Sequence, residues 1–397
     1  MNTQTPSNLP LLTSLRGFAA LFVTLYHARL ILFPQYKQPI ADVTQFLENG
    51  YLWVDLFFIL SGYVMIHVYQ QGFKQGVTFE NWWRFMSLRF SRVYPLFLVT
   101  LLALIGWESY KAMHTIPFYA GPLFESWGMI GNAPFEGPFN RGNAIMANLL
   151  MMQSMDGGML SWNISSWSLS IEWLIYLFFP LFAVMLFKPA AKSLLTPALC
   201  LILIFSMASQ AASLDYTKHA YGFIRGCCGF LLGAWMCSRK DQLPLNKLQG
   251  STWLLVIIAS LFAAMHFKAT TLTLMITYFL LVLLVGIGAI QTNSRTWLMK
   301  VIDNRITQYL GDVSYSLYLW HAVILLAGVE IVHRFYPEPL DWWYQQQDWQ
   351  TGFLVIAVFI ALSLIVSSLS YHLIERPAQR LIRKRIKANK SLNQSIA

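Results

Sequence analysis

The chain has 397 residues, of which 56% are hydrophobic and only 12% are charged. Because soluble domains carry about twice that charged fraction, the composition excludes an ordinary soluble globular protein. The formal net charge of +10 comes from basic residues dispersed along the chain, which argues against a nucleic-acid-binding protein.

Long apolar runs recur along the chain, and a bilayer core requires about 20 apolar residues per crossing. Ten runs are predicted to be transmembrane helices, at residues 11–33, 51–70, 90–107, 167–187, 195–212, 219–237, 251–267, 271–290, 309–333 and 351–374. The expected fold class is therefore all-α, a polytopic membrane helical bundle with about ten transmembrane helices. A long outer loop is expected at residues 108–166, in which Ala144–Met155 has the pattern of an interfacial or re-entrant helix.

Lysine and arginine are unevenly distributed between alternate connections. With a cytoplasmic N-terminus, 19 basic residues fall on inner connections, the inner end of the third segment and the tail, and 6 fall on outer connections. Because basic residues favour the cytoplasmic side, both termini are expected to be cytoplasmic. The first apolar run lacks a basic segment before it and a cleavage site, so it is expected to remain as a membrane helix. Residues 376–397 then form a basic cytoplasmic tail that can contact anionic lipid.

The cysteine and histidine pattern points to neither disulfides nor a metal. Cys200, Cys227, Cys228 and Cys237 all fall in predicted membrane helices, and no Cys/His spacing typical of a metal site is present. We therefore expect no metal cofactor.

Ionisable residues inside membrane segments are costly, and they usually face a cavity or a partner. The candidates for a functional site are Arg16, Arg89 and Arg92 toward the inner side, His27, Asp55, Glu172 and Arg225 toward the outer side, and His321 near the middle of the ninth segment. Arg16 and His27 are eleven residues apart, which puts them on one helical face about 16 Å apart. Permanent positive charge is thus expected inside, and a titratable histidine with carboxylates outside.

This polarity suits a donor with an anionic head at the inner face and a reactive end deep in the membrane. Paired arginines such as Arg89 and Arg92 recognise phosphate, and a histidine can take a proton from a hydroxyl. Structural roles are the alternative: the two arginines could anchor a helix end, and Asp55 could form an ion pair. Arg225 is expected to be the counter-ion of Glu172 rather than a catalyst. For His321, packing and function remain equally open.

Several motifs occur in the same order as in a known family. They are Thr13–His27 (TSLRGFAALFVTLYH), Val54–Val64 (VDLFFILSGYV), Arg89–Pro95 (RFSRVYP), Trp167–Tyr176 (WSLSIEWLIY), Gly311–His321 (GDVSYSLYLWH) and Tyr371–Pro377 (YHLIERP). Together they resemble the membrane acyltransferase 3 family over nearly the whole chain. Residues 1–375 would then be the transmembrane acyltransferase domain, in a stand-alone form without a C-terminal hydrolase-like domain.

The resemblance implies an acyl-CoA-dependent O-acyltransferase of the bacterial inner membrane. Such enzymes take an acyl group, commonly acetyl, from cytoplasmic acyl-CoA and deliver it to a hydroxyl of a carbohydrate or other acceptor at the outer face. Separate periplasmic or surface-glycan enzymes would be further partners.

By the same resemblance, His27 would be the catalytic residue, Arg16 its same-face partner, and Glu172 a residue that serves the acceptor or orients His27. Arg89 and Arg92 would hold the coenzyme phosphates. Asp55, Ser168, Arg225 and His321 would bind substrate or support the site.

Two mechanisms and two other protein classes stay open on the sequence. His27 could deprotonate the acceptor for direct attack, or accept the acyl group itself and pass it on. The candidate oxyanion donors are Ser61, Ser168 and Tyr315. The rival classes are a polytopic transporter, against which the lack of internal symmetry argues, and a non-catalytic membrane sensor of an acyl donor or glycan.

Overall fold

A computed structural model describes residues 9–157, 160–186, 194–243, 250–291, 297–384 and 386. Within these ranges the fold is all-α: there is no β-strand, only an isolated antiparallel bridge between Glu136 and Arg141. The α-helices of these ranges are α1 Pro10–Ile31, α2 Lys37–Val43, α3 Trp53–Tyr69, α4 Phe79–Met113, α5 Pro122–Ser126, α6 Ile145–Leu149, α7 Trp167–Met185, α8 Leu195–Ala211, α9 His219–Arg239, α10 Ser251–His266, α11 Thr271–Ile290, α12 Trp297–Ile302, α13 Arg305–Val323, α14 Val329–Phe335, α15 Pro337–Gln345 and α16 Trp349–Ser370.

Eight helical stretches in the described part of the chain are long and apolar enough to cross a membrane. They are Pro10–Ile31, Glu48–Phe73, Phe79–Met113, Ile164–Met185, His219–Arg239, Thr271–Ile290, Arg305–Phe335 and Trp349–Lys384. Each overlaps one of the ten predicted segments. The two other predicted segments form α8 and α10, which have only 17 and 16 residues. The prediction of an all-α membrane protein is thus confirmed, while the count of ten and the side of the termini stay predictions.

The two longest of these helices far exceed the length that a bilayer core requires. The stretch Phe79–Met113 has 35 residues and the stretch Trp349–Lys384 has 36. At 1.5 Å per residue each is about 50 Å long, whereas the hydrocarbon core is about 30 Å thick. The ends of both helices must therefore lie outside the hydrocarbon core.

The chain divides into two compact units. Unit 1 comprises Met1–Arg29, Tyr36–Lys74 and Leu181–Tyr315, and unit 2 comprises Leu30–Gln35, Gln75–Pro180 and Ser316–Ala397.

Unit 1 contains a close helix pair, formed by α3 and α9. A methyl group added at Gly62 would lie 1.9 Å from the carbonyl oxygen of Phe230, and one added at Gly233 would lie 1.9 Å from that of Ile59. Small residues let two membrane helices approach until their backbones touch, which is a main source of helix association in lipid. Glycine at these two positions therefore sets the α3–α9 distance.

Unit 2 holds a buried ion cluster that fixes the connection between α4 and α7. The Lys111 ammonium donates to Glu108 and to Glu330, each at 2.8 Å. The same two carboxylates accept the backbone N–H groups of Tyr119 and Phe135, both at 3.1 Å. Because buried charges are tolerated only when paired and hydrogen-bonded, the cluster holds this connection against α4 and α14.

The structure changes two details of the predicted outer loop. Helix α4 continues to Met113, so the first residues of the expected loop 108–166 are helical. The single helix expected over Ala144–Met155 is wrong: α6 is confined to Ile145–Leu149, and Met151 has a left-handed φ of 55°. Buried polar side chains favour the irregular path, since Asn148 bonds to Ser161 and Gln153 bonds to the Ser166 carbonyl.

Candidate functional site

The residues predicted to form the site lie in both units. Unit 1 contains Arg16, His27, Asp55 and Arg225, and unit 2 contains Arg89, Arg92, Ser168, Glu172 and His321. Each group is described within its own unit.

Helix α1 carries both Arg16 and His27 and is uninterrupted between them. The Arg16 guanidinium donates to the Gly311 carbonyl oxygen, at 2.9 Å from Nη2 and 3.3 Å from Nε. A methyl group at Gly311 would lie 1.9 Å from the Thr13 carbonyl oxygen, so the backbones touch beside this arginine. Arg16 is therefore tied to the start of α13.

His27 is half-buried, and its Nδ1 lies 3.1 Å from the Val23 carbonyl oxygen. A carbonyl oxygen can only accept, so in the neutral ring Nδ1 carries the proton and Nε2 keeps the lone pair. The backbone of α1 thereby selects the tautomer in which Nε2 is the basic atom.

Asp55 and Arg225 form a fully buried ion pair in unit 1. Arg225 donates to both carboxylate oxygens, from Nε at 2.9 Å and from Nη2 at 2.8 Å. It also donates to the Tyr51 carbonyl at 3.0 Å and the Tyr216 carbonyl at 3.2 Å. The expected counter-ion of Arg225 is Glu172, but the bidentate partner in the structure is Asp55. Sequence depth alone cannot choose between two carboxylates at a similar level. Asp55 thus takes the structural role that the sequence left open.

In unit 2, Tyr176 joins two of the predicted site residues. Its hydroxyl donates to the Glu172 carboxylate one helical turn away on α7. The Arg89 guanidinium carbon lies 5.9 Å from the centre of the Tyr176 ring and 6.0 Å from that of Phe85. These distances are within the range of cation–π attraction. Tyr176 is therefore near the Arg89 guanidinium and hydrogen-bonded to the Glu172 carboxylate.

Arg92 is ion-paired with Glu375 in the segment that continues α16. The Glu375 side chain is 1% exposed, and its other oxygen accepts the Ser316 hydroxyl at 2.9 Å. This pair connects α4, α13 and the end of α16. Glu375 lies inside the Tyr371–Pro377 motif, but nothing in the sequence indicated that it pairs with Arg92.

Ser168 and His321 lie in a buried polar cluster between α7 and α13. The Ser168 hydroxyl is 2.7 Å from the Tyr318 hydroxyl, which donates to the Ser165 carbonyl at 2.8 Å. His321 is fully buried, and its Nδ1 lies 2.9 Å from the Leu317 carbonyl oxygen. Full burial favours packing over substrate contact for His321.

Several polar residues that sequence reasoning missed have clear partners in unit 2. Lys111 is counted in the sequence with the outer connection, although its side chain is 1% exposed and paired with Glu108 and Glu330. Glu108 and Lys111 are three residues apart near the end of α4, and this spacing was the sequence feature that could have indicated the ion pair. Tyr176 and Tyr318 resemble ordinary aromatic residues of a membrane helix, and only the packing shows their hydroxyl contacts.

Comparison with known proteins identifies the family. The sequence profile described as an acyltransferase domain matches residues 11–372. The chain belongs to this acyltransferase family. The resemblance drawn from the six motifs is thereby confirmed, and the matched region includes every predicted site residue.

Relatives of this chain carry the name O-acetyltransferase. It is 23% identical over 398 residues to a putative O-acetyltransferase of Staphylococcus aureus, covering 94% of this chain and 57% of the relative. It is 23% identical over 395 residues to the peptidoglycan O-acetyltransferase OatA of Listeria monocytogenes, covering 94% and 56%. It is 21% identical over 402 residues to the putative peptidoglycan O-acetyltransferase YrhL of Bacillus subtilis, covering 94% and 55%.

The chain thus spans little more than half the length of these relatives. No solved structure matches it. Among the described residues, no group of three or more His, Cys, Asp or Glu side chains is arranged to hold a metal ion.

Proposed function

We propose that this protein transfers an acyl group, commonly acetyl, from acyl-CoA at the inner membrane face to a hydroxyl group at the outer face. The observation that carries the proposal is the geometry of α1 within the matched acyltransferase region. Arg16 and His27 lie on one continuous helix, eleven residues apart, which corresponds to about 16 Å along its axis. Helix α1 thus carries a permanent cation and a titratable histidine at two different levels along one axis.

His27 supplies the base in this mechanism. With Nδ1–H directed at the Val23 carbonyl, Nε2 accepts the proton of the acceptor hydroxyl. The hydroxyl oxygen attacks the thioester carbon, a C–O bond forms, the C–S bond breaks, and the thiolate takes the proton back from Nε2. In the two-step alternative, Nε2 bonds to the acyl carbon while the C–S bond breaks and the thiolate leaves. The acceptor oxygen then bonds to the acyl carbon, the C–N bond breaks, and the hydroxyl proton passes to Nε2 and on to the thiolate. Ser61, Ser168 and Tyr315 stay the candidate oxyanion donors.

The inner-side arginines bind the donor in this proposal. Arg89 and Arg92 contribute positive charge to the coenzyme phosphates, a role for which the guanidinium fork is well suited. Because Arg92 is already paired with Glu375, a phosphate would share or replace that partner. Glu172, held by Tyr176, serves the acceptor or orients His27. Ser168, Asp55, Arg225 and His321 support the helices around the site.

The acceptor is a carbohydrate hydroxyl, and the names of two relatives point to peptidoglycan as the class to test. In this proposal the protein lies in the inner membrane of a bacterium with its acceptor on the outer side, where separate glycan-modifying enzymes would act on the product.

The test is a transfer assay with purified protein in nanodiscs, labelled acetyl-CoA and soluble peptidoglycan fragments. We expect labelled fragments and released coenzyme thiol with the unmodified protein, and neither with His27→Ala or His27→Gln. His266→Gln is the matched control, because this histidine is exposed at the end of α10, and it should keep full activity. Activity in His27→Ala would contradict the proposal. If the unmodified protein and the variants bind acetyl-CoA but release no thiol, the result would favour a sensor. If intact substrate moves across the membrane, the result would favour a transporter.

A further inference from the structure

A basic pocket lies where the first turns of α4 meet the helical stretch that follows α16. Its volume is about 380 Å³, and it is lined by Arg84, Leu88, Arg380, Arg383, Lys384 and Ile386. All six residues belong to unit 2, and none of them is among the residues assigned above to the acyl-transfer site. The four basic side chains are exposed, so a ligand can reach them from solvent or from the membrane surface.

The pocket follows from the antiparallel packing of the two long helices. The ion pair between Arg92 and Glu375 fixes their register. Arg84 lies eight residues before Arg92, and Arg383 lies eight residues after Glu375, so the two arginines are brought to the same level. Eight residues correspond to about 12 Å, which puts the pocket beyond the Arg92 pair, toward the helix ends.

Four basic side chains concentrate positive charge in this pocket. Arg380, Arg383 and Lys384 are three and four residues apart, so their side chains share one helical face. Across the described ranges, no salt bridge to an acidic side chain involves any of the four basic residues. Like charges at this spacing repel one another, and a bound anion would relieve the repulsion.

The pocket has the chemistry of a phosphate site with an apolar wall. Guanidinium groups bind phosphate oxygens in a bidentate manner, and three of the four basic residues are arginines. Most of the lining surface of the pocket is apolar, and Leu88 and Ile386 belong to this lining. A volume of about 380 Å³ exceeds what a phosphate group fills, and it lies within the usual range of organic-ligand pockets. The ligand is therefore expected to be a phosphate ester with an organic group attached.

We propose that the pocket of Arg84, Arg380, Arg383 and Lys384 is a phosphate-binding site, distinct from the Arg89 and Arg92 pair. Two sources share this chemistry. One is a phosphate of the coenzyme A donor, a source that rests on the proposed function. The other is the headgroup of an anionic phospholipid at the predicted inner face.

The test measures binding, without an acyl group or an acceptor. In the first arm, protein in phosphatidylcholine nanodiscs is dialysed against labelled coenzyme A. In the second arm, phosphatidylglycerol retained by the protein is counted by native mass spectrometry. The variant is Arg380→Gln with Arg383→Gln, and the matched control is Lys74→Gln with Lys300→Gln, which removes two exposed charges outside the pocket. Arg380→Lys with Arg383→Lys keeps the charge and checks that the helix end still folds.

Loss of charge-assisted contacts to a phosphate is expected to lower affinity at least about tenfold in the pocket variant, and the control should bind like the unmodified protein. A loss in the first arm assigns the pocket to the coenzyme, and a loss only in the second assigns it to the lipid headgroup. Unchanged binding in both arms, or an equal loss in the control, overturns the proposal. Because no transfer is measured, coenzyme binding that depends on the pocket would stand even if the proposed acyl transfer failed.

Discussion

The α3–α9 contact gives a sharp prediction for Gly233→Ala. The added methyl group would lie 1.9 Å from the Ile59 carbonyl oxygen and 2.8 Å from its carbonyl carbon. Carbon atoms of this kind essentially never approach closer than 3.0 Å, so the helices would have to separate locally by about 1 Å. Both nearby atoms are backbone, and no side-chain rotation can relieve the overlap.

The expected cost follows from overpacking in a close helix interface. Inserting a methyl group into a well-packed site costs about 1–3 kcal/mol, and backbone contact puts this case at the upper end. Part of this cost is offset by the better helix propensity of alanine, which is worth about 1 kcal/mol. The net expectation is a clear loss of stability, with the same result for Gly62→Ala, whose methyl group would meet the Phe230 carbonyl oxygen.

The assay is thermal unfolding in detergent, followed by tryptophan fluorescence at a single scan rate. The matched control is Gly106→Ala, in the C-terminal third of α4, where an added methyl group meets nothing within 4 Å. We expect the control to unfold at the temperature of the unmodified protein or slightly above, and Gly233→Ala several degrees below it. Equal unfolding temperatures for Gly233→Ala and Gly106→Ala would refute the inference that glycine sets the α3–α9 distance.

Three further predictions follow from the ion pairs and the topology. Arg225→Ala should lower the free energy of unfolding by about 3–5 kcal/mol, because it leaves the Asp55 carboxylate buried without its partner. Replacing both residues by apolar ones should cost less, and a larger loss of stability in the double variant would contradict this expectation. Lys111→Met should speed proteolysis of the connection between α4 and α7, since two buried carboxylates lose their cation; an unchanged cleavage rate would show that the cluster does not hold it. Cysteine probes at Lys74 and Asn132 should react with an impermeant reagent from opposite sides of the membrane, and labelling of both from one side would exclude the predicted topology.

The membrane fold could be predicted from sequence because hydropathy is a local property. The segments expected at 271–290 and 219–237 correspond closely to α11 and α9. Helix ends were harder to predict, since the helices around residues 90–107 and 351–374 continue into charged sequence where an apolar run has already ended. The pocket formed by the ends of these two helices could therefore not be predicted from the sequence.

The sequence also could not show which ionisable side chains pair with one another. Depth and helical face put Asp55, Glu172 and Arg225 at a similar level, but only the packing of α3 on α9 shows that Arg225 pairs with Asp55. Lys111 illustrates the same limit, because its burial depends on Glu330, which lies far away in the chain. The position of His27 on α1, by contrast, followed from spacing alone.

Acyl transfer across the membrane through His27 is tested most directly by a transfer assay in sealed proteoliposomes. The orientation of the protein is determined from the accessibility of Lys74. Labelled acetyl-CoA is then supplied only on the side where Lys74 is accessible, and the hydroxyl acceptor is supplied only on the opposite side. We expect labelled acceptor with the unmodified protein and no labelled acceptor with His27→Ala, although His27→Ala still binds coenzyme A. Equal labelling of the acceptor by His27→Ala, or labelling only when donor and acceptor share one side, would contradict this mechanism.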